Sequence, residues 1–253
     1  MGEEKVVLNA ILLDSRQLND AIRKYSMRGV REIVVKNCRG QRYIGTSAKN
    51  KIRIIIHGYA GNDLGAFMER CEVIVYGNAG SGVGNTMNSG RIVVHGCVGD
   101  VLGYGMRGGE IFVKGDTGYR PGIGMKGYMS KEPVIVVGGS VGDFLCEYAA
   151  GGIFILLNTS DSKHPFGRFV GTGMHGGKIF VRGEIQREHL TSAVLLDEPT
   201  DREYEQIERY VKEYMMLFEH KGEIGVDGEF VAIRPKSHRP YGELYTVSGR
   251  EAV

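Results

Sequence analysis

The chain has 253 residues, 42% hydrophobic and 25% charged, enough for one large globular core or two small ones. A formal net charge of +2 without single-sign blocks indicates neither nucleic acid nor an acidic membrane surface as a partner. Glycine is the outlier at 39 residues, about twice the ordinary ~7%, and the lack of a G-X-Y period or a Pro/Ser bias excludes collagen and flexible linkers.

Met1-Gly2-Glu3-Glu4 lacks the basic-then-apolar order of a signal peptide. The longest apolar runs, such as 52–56, fall far short of the ~20 residues that cross a bilayer. A cytoplasmic protein with no membrane contact is expected. Residues 14–28 follow as a helix, with Asp14 as N-cap candidate, Leu18, Ile22 and Tyr25 on one stripe, and Gly29 as the stop.

Beyond it lies a repeat. Short β-like runs end on Gly58, Gly77, Gly96 and Gly115, 19 residues apart each time. Further runs end on Gly138, Asn158 and Gly183, at spacings of 23, 20 and 25, and an earlier one ends on Asn37. Each regular anchor opens a G-x-x-G-x-x-x-G turn: Gly58, Gly61 and Gly65; Gly77, Gly80 and Gly84; Gly96, Gly99 and Gly103; Gly115, Gly118 and Gly122. A fifth starts at Gly139 and Gly142 but carries Cys146 and Glu147 where the third glycine is expected.

The columns of this repeat read as a strand. Four residues before the anchor stand Ile54, Val73, Ile92, Ile111, Val134, Phe154 and Ile179; two before it stand Ile56, Val75, Val94, Val113, Val136, Leu156 and Val181. Residues two apart share a face of a strand, so this face looks into a core. Met68, Met87, Met106 and Met125, ten past the anchor, and Leu64, Val83, Leu102 and Pro121, six past it, form the inward columns of a second face. Short strands, glycine corners and a constant period predict an all-β fold: a single-stranded parallel β-helix of about eight rungs with 19-residue repeats, flanked by N- and C-terminal helices.

The outward column three before the anchor is unexpectedly apolar: Ile55, Ile74, Val93, Phe112, Ile135, Ile155 and Phe180. It is covered either by the chain's own C-terminal helix or by a partner. That helix is predicted at 200–219, with Tyr204, Ile207, Val211, Tyr214, Met215 and Phe218 on one stripe. The following tail places Arg234, Lys236, His238 and Arg239 together, either as a solvated basic strand or as a dock for an acidic surface. Three segments result: a strand and helix cap (1–31), the β-helix (32–184) and a helical, basic tail (185–253).

No catalytic, cofactor-binding or metal-binding residue is expected. Gly103, Gly122 and Gly171 each open a G-x-G-x-x-G, but strand follows where a dinucleotide fingerprint needs a helix N-terminus. His57, Tyr76, His95 and Lys114 share one outward column, and the two histidines, two rungs apart at ~9.6 Å, are too far apart for one zinc. The column is a solvated ladder or a partner-facing strip. Asp100 and Asp143 fit Asx turns. The irregular rung 158–183, with Lys163, His164, Arg168 and His175, is either a surface loop or a binding loop. Cys38, Cys71, Cys97 and Cys146 lack metal spacing and read as reduced, mostly packing residues.

The G-x-x-G-x-x-x-G turns at 58–65 through 115–122, with Gly65-Ala66-Phe67 and the run 89–96, closely resemble the GXGXG domain, the C-terminal β-helix of the glutamate synthase large subunit. The likeness covers roughly residues 15–240 and extends to the C subunit of formylmethanofuran dehydrogenase, which shares the repeat. It implies a non-catalytic scaffold that holds separate glutaminase-type and synthase-type subunits for ammonia transfer. FMN and iron–sulfur clusters are then expected on the partners and none on this chain. The column residues Ile55, Ile74, Val93 and Phe112 and the basic Arg234, Lys236 and Arg239 are the candidate docking surfaces. A scaffold of the formylmethanofuran dehydrogenase type, a free-standing β-helix enzyme and self-association are the competing readings.

Overall fold

The computed structural model describes residues 5–238. Nine short, Val- and Ile-rich strands run parallel in one sheet: β1 (Lys5–Asn9), β2 (Glu32–Arg39), β3 (Arg53–Tyr59), β4 (Cys71–Tyr76), β5 (Gly90–Val94), β6 (Glu110–Val113), β7 (Val134–Val137), β8 (Ala150–Leu156) and β9 (Gly176–Arg182). Helix α1 (Ser15–Met27) links β1 to β2. Past β9 come β10 (Val194–Asp197), helix α2 (Asp201–Phe218) and β11 (Phe230–Pro235); β11 pairs antiparallel with β9, and β10 with β11.

The molecule is thus mainly β, a parallel β-solenoid with a helix toward each end, as the repeat predicts. It has about six turns, fewer than the eight rungs expected. A second ladder of bridges, Ala60, Ala79, Val98, Thr117, Val141 and Phe166, marks the complete coils. In the coil between β2 and β3 this ladder gives way to buried Gln41, whose amide donates to the Ala10 and Leu13 carbonyls at 2.9 Å each while its Oε1 accepts from the Arg39 amide at 2.7 Å. Gln41 therefore ties the loop before α1 to the first coil.

The rung around β7 sits one residue away from its predicted position. Ile111 pairs with Ile135 and Val113 with Val137, so the anchor is Gly139, the inward residues are Ile135 and Val137, and Val136 faces outward. All four residues of β7 are apolar and buried, which erases the alternation that would fix the register. An insertion after Met125, closed by a bridge between Tyr128 and Lys131, hides the correct spacing.

Each corner is built from two consecutive reverse turns. In the coil after β5 the Tyr104 amide donates to the Val101 carbonyl at 3.2 Å and the Met106 amide to the Gly103 carbonyl at 3.0 Å. The third residues of these turns, Gly103 and Gly105, have φ of +66° and +58°, the left-handed backbone that a type II turn requires. The G-x-G at 103–105 is therefore a double turn. A Cβ on Gly103 would also collide with Cδ1 of Ile135, two strands further along the stack. In the fifth complete coil Cys146 and Tyr148 hold the equivalent positions at φ of +54° and +53°, so the conformation persists without glycine.

Two apolar cores flank the sheet. Inside the solenoid, Met68, Met87, Met106 and Met125 are buried against the inward strand residues. Outside it, Ile207, Tyr210, Val211, Tyr214 and Phe218 of α2 pack on Val93, Phe112, Val136, Ile155 and Phe180. The Tyr214 hydroxyl donates to the Lys114 carbonyl at 3.0 Å. Burial pushes that phenol up to about 12.

The outer column five before the anchor alternates in charge. Lys5, Glu32, Arg53, Glu72, Arg91 and Glu110 follow one another up the sheet: Lys5 lies 2.9 Å from Glu32, Arg53 2.5 Å from Glu72 and Arg91 2.5 Å from Glu110. Arg91 also reaches Glu213 of α2 at 2.6 Å. At the other end of the helix, buried Glu203 caps Thr200 and accepts from Arg234 at 2.7 Å and Lys178 at 2.6 Å. Hydrogen bonds from Arg234 hold the Glu203 carboxyl well below the usual carboxylate range, against the opposing effect of burial.

Two stability outcomes follow. Gly103→Val combines left-handed strain with overpacking and should cost about 2–5 kcal/mol, read as reduced soluble yield and a lower urea midpoint; parent-like stability would contradict this register. Glu203→Gln should cost about 2–4 kcal/mol at neutral pH. Because the folded pKa is depressed, that contribution is complete above the unfolded glutamate value of about 4.3 and fades as pH falls below it, so the gap to the parent in pH-dependent melting should narrow in acid.

Candidate functional site

The outward apolar column is where sequence reasoning placed the docking surface, and α2 divides it. Val93 and Phe112, expected to face a partner, are 1% and 0% exposed beneath the helix; the chain's own α2 covers them. Ile74, half-buried, packs at the margin of the core under α2, while half-buried Ile55 lies outside that core, with Val34 buried and Val7 of the edge strand 54% exposed in the same column. The docking role expected of Arg234 is also corrected. Its guanidinium is taken up by Glu203 and by Asp197 at 3.0 Å, so it braces α2 against β11. Lys236 is exposed at the end of β11, and Arg239 lies outside the described residues.

The histidine column is a stack of rings. His57 and Tyr76 lie 5.1 Å apart between centroids, Tyr76 and His95 4.4 Å, and His95 meets the edge of Phe218 at 5.0 Å. The strip is solvated at His57 and Tyr76 and ends against α2. Burial, then the neighbouring Lys114 charge, lowers the His95 pKa. Among the described residues no group of three or more His, Cys, Asp or Glu is placed to hold a metal ion.

The irregular rung resolves into two parts. Phe166 and Val170 return to the inward ladder, so Arg168 and His175 sit on a regular corner. The insert that precedes them is pinned: the Asn158 side chain exchanges hydrogen bonds with the Ser162 backbone at 2.9 and 3.0 Å, Arg182 holds Asp161 at 2.9 Å, and His164 lies 2.8 Å from Gln186. Asp100 and Asp143 accept from backbone amides of the next coil, Tyr119 and Arg168, at 2.8 Å each. They staple neighbouring coils instead of closing their own turns.

Sequence reasoning missed the depressions at the N-terminal end. A groove of about 620 Å³ runs between α1 and the first corner, over Ile22, Ala48 and Ile52, with Arg16, Arg23 and Lys49 on its rim. An adjoining cleft of about 640 Å³ shares Ile52 and is lined by Arg31, Lys51, Arg53 and Arg70. These cations come from α1 and from the ends of three coils, so only the stacked structure brings them together. Among the described residues no helix is long and apolar enough to cross a membrane.

The GXGXG motif family model matches residues 15–230. Uncharacterized protein MJ1350 of Methanocaldococcus jannaschii is 42% identical over 255 residues, covering 97% of this chain and 98% of the relative. A chain of the formyltransferase/hydrolase complex (FhcABCD) from Methylorubrum extorquens, solved in complex with methylofuran, has a similar fold, with a TM-score of 0.57 and 18% identity over 83% of this chain and 87% of that one. By the extent of the motif match and the identity of its relative, the chain belongs to the GXGXG motif family.

Proposed function

We propose that this protein is a non-catalytic structural subunit of a multi-subunit enzyme. The supporting observation is the similarity of fold, across most of both chains, to a chain that is itself one component of a multi-subunit complex. A stack of coils locked by backbone ladders suits a rigid spacer, because its outer columns can be decorated without disturbing the core.

Two assemblies fit this role. A formylmethanofuran-dehydrogenase-like or formyltransferase/hydrolase-like complex is favoured by the solved relative. A split glutamate synthase, in which glutaminase and FMN/iron–sulfur subunits meet on this chain, is favoured by the family resemblance together with the helix after the last rung. In either case flavin, metal or cluster chemistry belongs to the partners.

Affinity purification of the tagged chain from its native host, followed by mass spectrometry, cofactor spectra and metal analysis, tests the proposal. Co-purification of a formyl-transfer or a molybdenum- or tungsten-containing partner supports the first assembly. A glutaminase with a flavin/iron–sulfur synthase supports the second, and glutamine-dependent glutamate synthesis should then require this chain. Recovery of the chain alone under mild conditions would overturn both.

A further inference from the structure

The N-terminal end of the solenoid carries a charge imbalance that the whole chain hides. Arg16 and Arg23 share a single acid, Asp20, at 3.8 Å from each. In the adjoining cleft the acids Glu32 and Glu72 are already engaged, Glu32 by Lys5 at 2.9 Å and Glu72 by Arg53 at 2.5 Å. Lys49, Lys51, Arg31 and Arg70 therefore add to the surplus. All four are exposed. Since the chain totals only +2, the remainder of the molecule is net negative, and positive charge is concentrated at one end.

The groove beside α1 has an apolar floor, whereas the cleft next to it is lined by charged side chains around Ile52. Ile22, Ala48 and Ile52 floor the groove, and Met27, 79% exposed, stands at its side. The two depressions, of about 620 and 640 Å³, both reach Ile52, so the apolar groove and the charged cleft are neighbours on one end of the solenoid. An apolar trough with a cationic rim complements an amphipathic segment whose flanks are acidic, laid along it as a helix or strap. Nucleic acid fits less well, since its phosphates have no use for an apolar floor.

We infer that the trough between α1 and the first coils is the docking site for an acidic, amphipathic segment of a partner subunit. This rests on the reading of the chain as a structural subunit and names the surface that such a subunit uses. Affinity comes chiefly from burying Met27, since Ile22 and Ile52 already belong to the core and shape the groove; the rim cations select the partner and speed its approach.

The test uses the full chain in its native complex. Arg23→Glu combined with Lys49→Glu reverses two exposed rim charges, and Lys126→Glu combined with Lys212→Glu reverses two exposed charges elsewhere. With melting curves unchanged in both, the rim variant should bind the purified partner at least tenfold more weakly, and the control should bind as the parent does. A photo-crosslinker replacing Met27 should link to an acidic stretch of that partner, located by mass spectrometry. Parent-like binding by the rim variant, or crosslinks to a segment without acidic residues, overturns the inference while leaving the structural-subunit reading intact. Nuclease-sensitive material held at the trough overturns it in favour of nucleic acid. A parent chain that recruits no partner at all overturns the functional reading, and this inference with it.

Discussion

Each coil rests on another coil about 4.8 Å away, so every column of side chains has to tolerate its own repetition. Apolar columns do so by packing, and the inward Ile, Val and Met ladders are the result. A column of like charges would repel itself, and the outer column from Lys5 to Glu110 avoids this by alternating sign at every step. Aromatic and imidazole rings repeat by stacking, as His57, Tyr76 and His95 do. Glycine repeats where the adjacent coil's backbone is the neighbour, as at Gly58 and Gly77, and where a turn needs a left-handed φ beside an isoleucine side chain, as at Gly65, Gly84 and Gly103.

The same constraint explains α2. A sheet with apolar residues on both faces needs a second cover, and an amphipathic helix anchored by Glu203 at one end and Tyr214 toward the other supplies it over the later strands. The earliest strands keep a thinner outer surface of Val7, Ile55 and long charged side chains. The molecule is therefore asymmetric along its axis: self-covered where α2 lies, and basic and grooved at the N-terminal end.

Much of this was legible in the sequence because repetition amplifies weak signals. One strand of four apolar residues is ambiguous, but four copies 19 residues apart fix both the period and the inward faces. Legibility failed where repetition failed. In β7, apolar on both faces, nothing local separates Ile135 from Val134; β1 is followed by a helix in place of a glycine turn and so carries no repeat mark. The charge ladder could have been read from Glu32, Arg53, Glu72, Arg91 and Glu110 once the columns were aligned. The basic trough could not, because its cations sit at unrelated repeat positions and on α1, joined only by the way the helix lies on the first coil. Arg234 illustrates the opposite error: clustering in the tail suggested a free cation, and a buried carboxylate distant in sequence claims it.

The thiols give this architecture a practical use. Cys97 is exposed, while Cys38, Cys71 and Cys146 are buried at different heights of the stack, with burial raising the pKa of all three. A thiol reagent reaches the first at once and the others only when their own coils open. The relative labelling rates of the native, unmutated protein therefore report whether the solenoid frays from one end or unravels as a unit.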